Sequence, residues 1–577
     1  MGRQPLQASL MPIGIAFGLT LLFLWPCFQL PYHALPAQAG SSITVPLFNA
    51  WTIGWNAHSL ANGLRGYWHA PIFAPDASAF AYSEPQPILW LVSPVVWLTG
   101  SVTFAYRFYL GITFFLNALF MTRVLRRCGL SLIAQSAGAC FLLGNELWWA
   151  NINTIQLLPI WGCLWCWDCI LKQAYGRRSR GDRFSILLCL EFAFALTSVF
   201  LCSVHHGLFW CTLLPITFVG WFIFFPRRRL CFLKEWAVIL GLAILFLLPL
   251  IVPMYSALRK FKTSRNDRTV LSLSANWEAW RQTPGARIHE FRSESELEND
   301  STMGLFSRGL RPNGWLLMLS LLAACRPAMN VRRFRVATIL LITAIAAWGL
   351  SWGPNLELCG VNLWNSLVTI MPPLEKVRSV YRYAYFVHLP IVCLAAMGVD
   401  SFTHLTASLS RKRIPRSLVG WLFVFTWLLS QLLFRPTVML AAAPDLRVKP
   451  GWVEILSTTS QTRKPIVHLP FVTGYGEADF EQTTKFMLHG LQHLRPMLNG
   501  YSGFFPPTWY EDVKTLSGSR LTPEQFAALR KQGVALLVVD RQRFEPLEAS
   551  EAALAGLSVN RIYSSDQQIE IWELAAE

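Results

Sequence analysis

The feature that most constrains this chain is a series of long apolar stretches separated by short clusters of basic residues. The clusters lie at residues 3, 123–127, 172–183, 227–234, 326–335 and 411–416, and almost all the acidic residues lie elsewhere. Basic residues concentrate in this way in the cytoplasmic loops of proteins that cross a membrane several times. The pattern therefore predicts a multi-span membrane protein and sets the direction of each crossing.

A bilayer crossing needs roughly 20 apolar residues. On that criterion we expect about eleven spans, at residues 9–30, 103–125, 131–150, 155–172, 184–204, 206–225, 236–256, 314–326, 336–352, 381–400 and 417–437. Residues 87–98 are apolar but too short to cross, so we predict a juxtamembrane or re-entrant helix there. This arrangement places every basic cluster in the cytoplasm, with the N-terminus inside and the C-terminus outside.

The N-terminal apolar run also resembles a signal peptide, because Ala-Gln-Ala follows it at 37–39. The run of about 22 residues is longer than the apolar core of a signal peptide, so we interpret it as a retained span. The net charge of +17 does not indicate nucleic-acid binding, because the positive residues lie mostly between the spans. Cys163, Cys166 and Cys169 repeat every three residues on an apolar helix, a pattern more typical of packing than of a metal site.

The predicted topology divides the chain at about residue 438. Residues 1–438 form the membrane domain, with outside loops at 31–86 and 257–313. Residues 439–577 are expected to form a small α/β domain outside the cytoplasm, because strand patterns at 464–471 and 534–540 and a strand or hairpin at 561–574 alternate with helical patterns at 478–494, from 521 onward and at 548–557. Thr522 is a good N-cap and Pro523 suits the first position of the second helix. The continuous apolar run at 534–540 is typical of a strand buried on both faces. The fold class is therefore mainly α, with an α/β tail.

Several short strings resemble, in order, the bacterial multi-span proteins of the GT-C glycosyltransferase superfamily that carry a C-terminal extracytoplasmic domain. They are PLFNAWTIGWNAH at 46–58, PIFAP at 71–75, AYSE at 81–84, QLL at 156–158, SVHHGL at 203–208, VRSVYRY at 377–383 and LNGYSGFFPP at 498–507. The resemblance implies a polyprenyl-phosphate-linked sugar as donor, transfer on the outer face, and an acid in the first outside loop as general base. The family's usual Gly-Asp-Pro is Thr44-Val45-Pro46 here, and Val45 cannot accept a proton.

Two acids in the first loop remain as catalytic candidates. Glu84 lies where the loop returns to the membrane, and partial burial there would raise its pKa toward the range used in acid–base catalysis. The alternative is a solvated loop acid that caps the following helix. Asp76 follows Pro75 in a turn-like string, and a turn-forming role is its alternative.

The candidate substrate-binding residues are basic or polar groups at the outer ends of spans. Arg378 and Arg382 are four residues apart, a spacing that on a helix puts both guanidinium groups on one face, where they would bind phosphate or extend to the membrane interface. His205 and His206 stand between two spans, either as polar caps or in proton transfer. Asn151 and Gln156 occupy another outer loop and would hydrogen-bond sugar hydroxyls or the turn backbone.

The leading hypothesis is a bacterial inner-membrane glycosyltransferase that moves a sugar from a polyprenyl-phosphate donor to an extracytoplasmic acceptor. Its expected partners are the lipid bilayer and the lipid-linked sugar, not nucleic acid. No nucleotide or redox cofactor is implied; a divalent cation is compatible with the reaction, but no cluster of ligands demands one. Two alternatives remain: an inactive glycolipid-binding or scaffold protein, which Val45 favours, and a transporter of a lipid-linked intermediate, which the absence of an internal repeat disfavours.

Overall fold

The computed structural model describes most of the chain. The described residues are 6–29, 31, 33–38, 41–175, 185–224, 229–260, 267–284, 309–324, 331–409, 415–434, 438–459, 464–472, 474, 476–516, 518, 521–544, 559–564 and 569–574. Most of the predicted loop 257–313, the predicted helix 548–557, the first basic residue at position 3 and parts of four further basic clusters fall outside them.

The fold is mainly helical, as predicted. A bundle is formed by the helices Leu6–Phe28, Val102–Arg127, Leu132–Leu143, Trp161–Tyr175, Ile186–Cys202, Val204–Phe224, Arg229–Lys260, Gly314–Ala324, Val331–Ser351, Ala384–Leu409 and Arg416–Phe434. Among the described residues, six helical segments are long and apolar enough to cross a membrane: Met11–Phe28, Val102–Arg127, Val204–Phe224, Leu233–Ala257, Val331–Ser351 and Val380–Thr406. Several others are apolar but shorter, including Ile186–Cys202 and Gly314–Ala323. The chain is a multi-pass membrane protein, while the number of about eleven spans stays a prediction.

Serine side chains cap the N-termini of several of these helices. Ser101 accepts a hydrogen bond from the Phe104 amide, and Ser131 and Ser185 cap their helices in the same way. Such a cap satisfies one of the backbone N–H groups left free in the first turn. The predicted span 131–150 ends early, at Leu143, because Asn145 caps a separate short helix, Glu146–Trp149.

The bundle has a central helix and a lipid-facing edge. Almost all of Val380–Thr406 is buried, whereas Arg229–Lys260 exposes Ile244, Leu245 and Val252. The central helix approaches Gly314–Ala324 closely at Gly398, where a Cβ atom would lie 1.9 Å from the Leu319 carbonyl oxygen. Glycine at this position lets the two backbones meet.

One end of the bundle, here called the basic end, is held by ion pairs. Asp168 is fully buried; Arg123 Nη2 lies 2.7 Å from its Oδ2, Arg127 also bonds it, and Lys172 Nζ is 3.7 Å away. Nearby, Arg333 Nη1 lies 2.7 Å from Asp400 Oδ2. An acid within a membrane bundle is costly unless it is paired, so Asp168 is a structural anchor for basic side chains from two helices.

At the opposite end, here called the loop end, the first loop and the tail are joined. Strand β1 (Ala34–Gln38) follows the first helix of the bundle and pairs antiparallel with strand β4 (Val438–Ala442), which follows the last. The helix Thr44–Ala61 packs against Glu481–His493 of the tail. Both segments therefore lie at the same end of the bundle.

The tail contains a four-stranded sheet in the order β5-β6-β8-β7. Strand β5 (Ile466–Leu469) is parallel to β6 (Leu536–Asp540), while β8 (Ile569–Leu574) is antiparallel to both β6 and β7 (Val559–Ser564). Helices Gly451–Thr458, Glu481–His493, Pro507–Leu516 and Pro523–Lys531 accompany the sheet. Every residue of β6 is buried, as its continuous apolar run predicted.

The remaining segments outside the bundle are short. They comprise the helices Asp267–Ser272 and Trp277–Arg281, the hairpin of β2 (Glu357–Leu358) and β3 (Val361–Asn362), and the helix Leu363–Ile370. The predicted juxtamembrane segment 87–98 forms a 3₁₀ turn, Pro87–Val92, followed by the short helix Ser93–Thr99.

Candidate active site

Glu84 lies at the loop end in a short segment between two 3₁₀ turns, Ala79–Tyr82 and Pro87–Val92. Its Oε1 accepts hydrogen bonds from Ser203 Oγ at 3.0 Å, from the His205 amide at 2.8 Å and from His205 Nδ1 at 2.7 Å. Because Nδ1 donates to the carboxylate, Nε2 is the ring nitrogen left for other partners. The Glu84 side chain is 8% exposed and the His205 side chain 26%, so a substrate meets the imidazole first.

The charge of Glu84 follows from its neighbours. Burial alone would raise the pKa of this carboxyl group, but the positive charge that His205 carries once it is protonated, the hydrogen bonds of His205 and, to a smaller extent, the charge of Arg382 lower the pKa to about 2. The expected rise toward the acid–base range was therefore wrong. An ionised carboxylate with so low a pKa is a poor proton acceptor, but it is well suited to orient His205 and to stabilise its protonated form.

Buried amides fix the segment that carries Glu84. Asn56 Nδ2 donates to the Pro85 carbonyl at 2.9 Å, and Gln86 Nε2 donates to Asn49 Oδ1 at 3.2 Å. Asn49 and Asn56 are seven residues apart, two turns of the helix Thr44–Ala61, and so share a face. Sequence reasoning assigned no role to these amides; the signal was two asparagines at helical spacing in an otherwise apolar string.

The opposite wall of the site is the start of the helix Val204–Phe224. It meets the 3₁₀ turn Val380–Tyr383, where the Tyr383 hydroxyl lies 2.9 Å from Thr212 Oγ1 and the Tyr383 ring lies 4.1 Å from that of Phe209. This packing positions Arg382, which is half-buried and close enough for its charge to act on Glu84.

The predicted shared helix face for Arg378 and Arg382 was wrong. Pro372 begins a separate 3₁₀ turn that ends at Lys376, and Arg378 lies in irregular backbone before the turn that carries Arg382. Arg378 is exposed and its charge acts on Tyr501 of the tail. Only Arg382 therefore lies beside the Glu84–His205 pair.

The other predicted binding residues lie in contacts within the fold. His206 is fully buried, with its ring centroid 5.3 Å from that of Tyr385. Asn151 Nδ2 donates to the Leu147 carbonyl at 2.8 Å and so completes the turn after a short helix. Gln156 is half-buried, and among the described atoms its Oε1 has no hydrogen-bond partner.

Asp76 and Val45 lie apart from the pair. Asp76 lines a cavity between the first loop and the tail that does not include Glu84. Val45 is half-buried in the first turn of the helix Thr44–Ala61, beside Thr44, whose hydroxyl donates to the Glu477 carbonyl at 2.7 Å.

The described part of the chain holds no group of three or more His, Cys, Asp or Glu side chains arranged to bind a metal ion. Cys163, Cys166 and Cys169 are all buried along the helix Trp161–Tyr175 and belong to no such group among the described residues.

No protein-family model and no curated protein sequence matches this chain. Solved structures do match it. Mycobacterial arabinofuranosyltransferase AftD matches with a TM-score of 0.54 and 14% identity over 98% of this chain and 41% of its own. The oligosaccharyltransferase of Archaeoglobus fulgidus matches with a TM-score of 0.47 and 11% identity, over 99% of this chain and 74% of its own. ArnT of Cupriavidus metallidurans bound to undecaprenyl phosphate matches with a TM-score of 0.38 and 12% identity, over 99% of each chain.

This chain thus spans about two fifths of the AftD chain, and the likeness concerns the fold. The structures it resembles are GT-C glycosyltransferases, the superfamily indicated by the motifs of the first loop and the tail. The protein has a GT-C-like fold.

Proposed function

We propose that this protein is a membrane glycosyltransferase that moves a sugar from a polyprenyl-phosphate donor to an acceptor hydroxyl on the extracytoplasmic face. The observation that carries the proposal is the buried Glu84 carboxylate bonded to the partly exposed His205, with Arg382 beside them. The likeness to AftD, which is named an arabinofuranosyltransferase, supports glycosyl transfer as the class of reaction. The motif resemblance supports the lipid-linked donor.

In the proposed reaction, the acceptor hydroxyl approaches Nε2 of His205, which takes its proton as the oxygen attacks the anomeric carbon. The bond from that carbon to the donor phosphate breaks, and the electron pair leaves with the lipid phosphate. Glu84 acts as a positioning residue, because it holds the Nδ1–H of His205 and stabilises the imidazolium that forms. Arg382 binds the oxygens of the departing phosphate, for which a guanidinium offers two parallel donors.

The proposal also fixes an orientation. The basic end, with Arg123, Arg127 and Lys172, faces the cytoplasm, and the loop end lies outside the inner membrane. The α/β tail then lies outside as well, since β4 pairs with β1 at that end. Cysteine labelling of intact cells at residue 60 and residue 511 tests this: both are expected to react with an impermeant reagent, and protection of either one contradicts the orientation.

The reaction is tested with the full chain purified into lipid nanodiscs, supplied with polyprenyl-phosphate-linked sugars and saccharide acceptors. We expect His205→Asn to lower kcat by about 10²–10⁴-fold, the usual contribution of a general base. Glu84→Gln keeps the shape of the side chain but removes its charge, and is expected to lower kcat by about 10–100-fold. The matched control Glu511→Gln makes the same change on an exposed face of the tail and is expected to leave turnover unchanged.

The alternatives predict different results. A wild-type protein that binds the lipid-linked donor without turnover is a glycolipid-binding protein, the function that Val45 favours. A protein that moves the donor across vesicles without transfer is a transporter. Full turnover by both Glu84→Gln and His205→Asn rules out the proposed roles of this pair.

A further inference from the structure

The cavity that Asp76 lines between the first loop and the tail has a volume of about 470 Å³. Trp55, His58, His69 and Asp76 line it from the first loop, and Pro465 and Pro496 line it from the tail. Its volume falls in the range of small-molecule sites, about 300–1,000 Å³. Neither Glu84 nor His205 contributes to its wall.

The cavity has a firm back wall. The Met497 amide donates to the Pro71 carbonyl at 3.2 Å, and the Ala74 amide donates to the Met497 carbonyl at 2.8 Å. Met497 also bridges in parallel to Ile466 of β5, so the first loop continues the hydrogen bonding of the tail sheet. The site is thus formed in advance by two parts of the chain more than 400 residues apart.

The polar side chains that line the cavity offer both hydrogen-bond donors and an acceptor. His69 Nδ1 accepts from the Ser78 amide at 3.1 Å, so its proton lies on Nε2. His58 Nε2 lies 3.2 Å from Asn62 Nδ2, an amide donor, so its proton lies on Nδ1. Burial lowers the pKa of His58, which keeps this ring neutral. The cavity is therefore lined by two imidazole rings, each with an N–H donor, and by the Asp76 carboxylate, an acceptor.

This set of groups matches hydroxyls, which both donate and accept. The Trp55 and His58 rings stack with centroids 5.4 Å apart and add a flat surface of the kind that packs against a sugar ring. None of the described residues that line the cavity is Lys or Arg, so an anion would meet the Asp76 carboxylate without a fixed positive charge to offset it. We propose that this cavity binds a neutral saccharide, the non-reacting part of the glycan acceptor.

The assignment as acceptor site rests on the proposed function, and the chain path supports it. Asp76 and Glu84 belong to one segment, with the turn Ala79–Tyr82 between them. The Tyr82 hydroxyl donates to the carbonyl of Ala77, the residue after Asp76, at 3.4 Å, and the Tyr82 carbonyl accepts from the Phe504 amide at 3.0 Å. A saccharide bound at Asp76 is thereby held next to the segment that positions His205.

The test measures saccharide binding without any donor. The full chain in nanodiscs is titrated by calorimetry with short uncharged oligosaccharides of glucose, mannose, galactose and arabinose, and with their phosphorylated counterparts. We expect at least one neutral oligosaccharide to bind, and we expect Asp76→Asn and His69→Ala each to weaken it about ten-fold, as the loss of a charge-assisted or directed hydrogen bond does. His69 is exposed and Asp76→Asn preserves shape, so both variants are expected to fold.

A matched control lies in another cavity of about 440 Å³, which Glu375 lines together with Arg268 and Trp364. Glu375→Gln is expected to leave saccharide binding unchanged. The proposal is overturned if no neutral oligosaccharide binds, if both cavity variants bind as well as the wild type, or if the phosphorylated forms bind more tightly. His205→Asn separates the two proposals. If this variant still binds saccharide but no longer transfers sugar, both proposals are supported. If the wild type binds saccharide but never transfers sugar, the saccharide site is supported and the proposed enzymatic function is rejected.

Discussion

The tail buries a histidine that has no hydrogen-bond partner among the described residues. His468 lies on β5, fully buried, with both ring nitrogens unpaired and its ring stacked on Phe486 at a centroid distance of 4.1 Å. Burial, together with the charges of His493 and His489, lowers the pKa of His468 well below its ordinary value of 6.5. We therefore expect this part of the tail to lose stability in acid.

The sign and size follow from proton linkage. Below pH 6.5 the unfolded chain binds a proton at this position and the folded chain does not, so the contribution is complete above 6.5 and is lost as the pH falls toward the folded pKa. Between pH 7 and pH 5.5 one such histidine lowers the free energy of unfolding by about 1.2 kcal/mol. His493, whose pKa burial lowers to about 3, adds about the same amount.

The substitution His468→Leu removes the group that titrates and keeps an apolar side chain in an apolar environment. Hydrogen exchange of peptides from 464–472 and 534–544, measured at both pH values in the full chain, gives the local opening free energy. Between pH 7 and pH 5.5, we expect the local opening free energy of the variant to fall by about 1.2 kcal/mol less than that of the wild type. His33→Leu, at an exposed histidine beside β1, is the control and is expected to follow the wild type. Parallel losses in the wild type and His468→Leu would refute the reasoning.

Two further predictions concern the bundle. Gly398→Ala places a Cβ atom against the Leu319 carbonyl and is expected to lower the free energy of unfolding by about 1–3 kcal/mol. The measurement is the thermal midpoint in detergent, which should fall. Gly241→Ala is the control: its Cβ atom meets nothing within 4 Å, so the midpoint is expected to stay unchanged. Asp168→Asn removes the carboxylate that Arg127 contacts and leaves Arg123 and Lys172 with Glu191 as their acidic partner. It is expected to cost about 2 kcal/mol, less than the loss of a wholly buried pair, because the basic side chains are about a quarter exposed. Asp445→Asn, at a half-buried acid paired with Arg447 outside the bundle, is its control, and equal midpoints for the two variants would contradict the structural role of Asp168.

Features with a local cause were predictable from the sequence. Thr522 caps its helix and Pro523 begins it, as the string Thr-Pro-Glu predicted, because capping depends on neighbouring residues alone. The apolar run of β6 likewise identified a strand buried on both faces. Glu84 was recognised as a candidate because it stands where an apolar segment resumes.

The chemistry around Glu84 was not predictable in the same way. Its partners Ser203 and His205 are 119 and 121 residues away, so the direction of its pKa depends on tertiary contacts that no spacing reports. The error at Arg378 and Arg382 has a local cause: residues 377–379 are irregular backbone between two 3₁₀ turns, and the i, i+4 rule holds only within a continuous helix.

The pairing of β1 with β4 has a consequence for how the protein is made. Chains emerge from the ribosome N-terminal end first, and β1 stays without its partner until Val438–Ala442 follow the last helix of the bundle. The wall that Pro71 and Ala74 share with Met497 waits longer still. The cavity proposed to bind saccharide is therefore completed only after this part of the tail has been made, whereas Glu84, His205 and Arg382, the groups proposed to transfer sugar, all precede β4 in the chain.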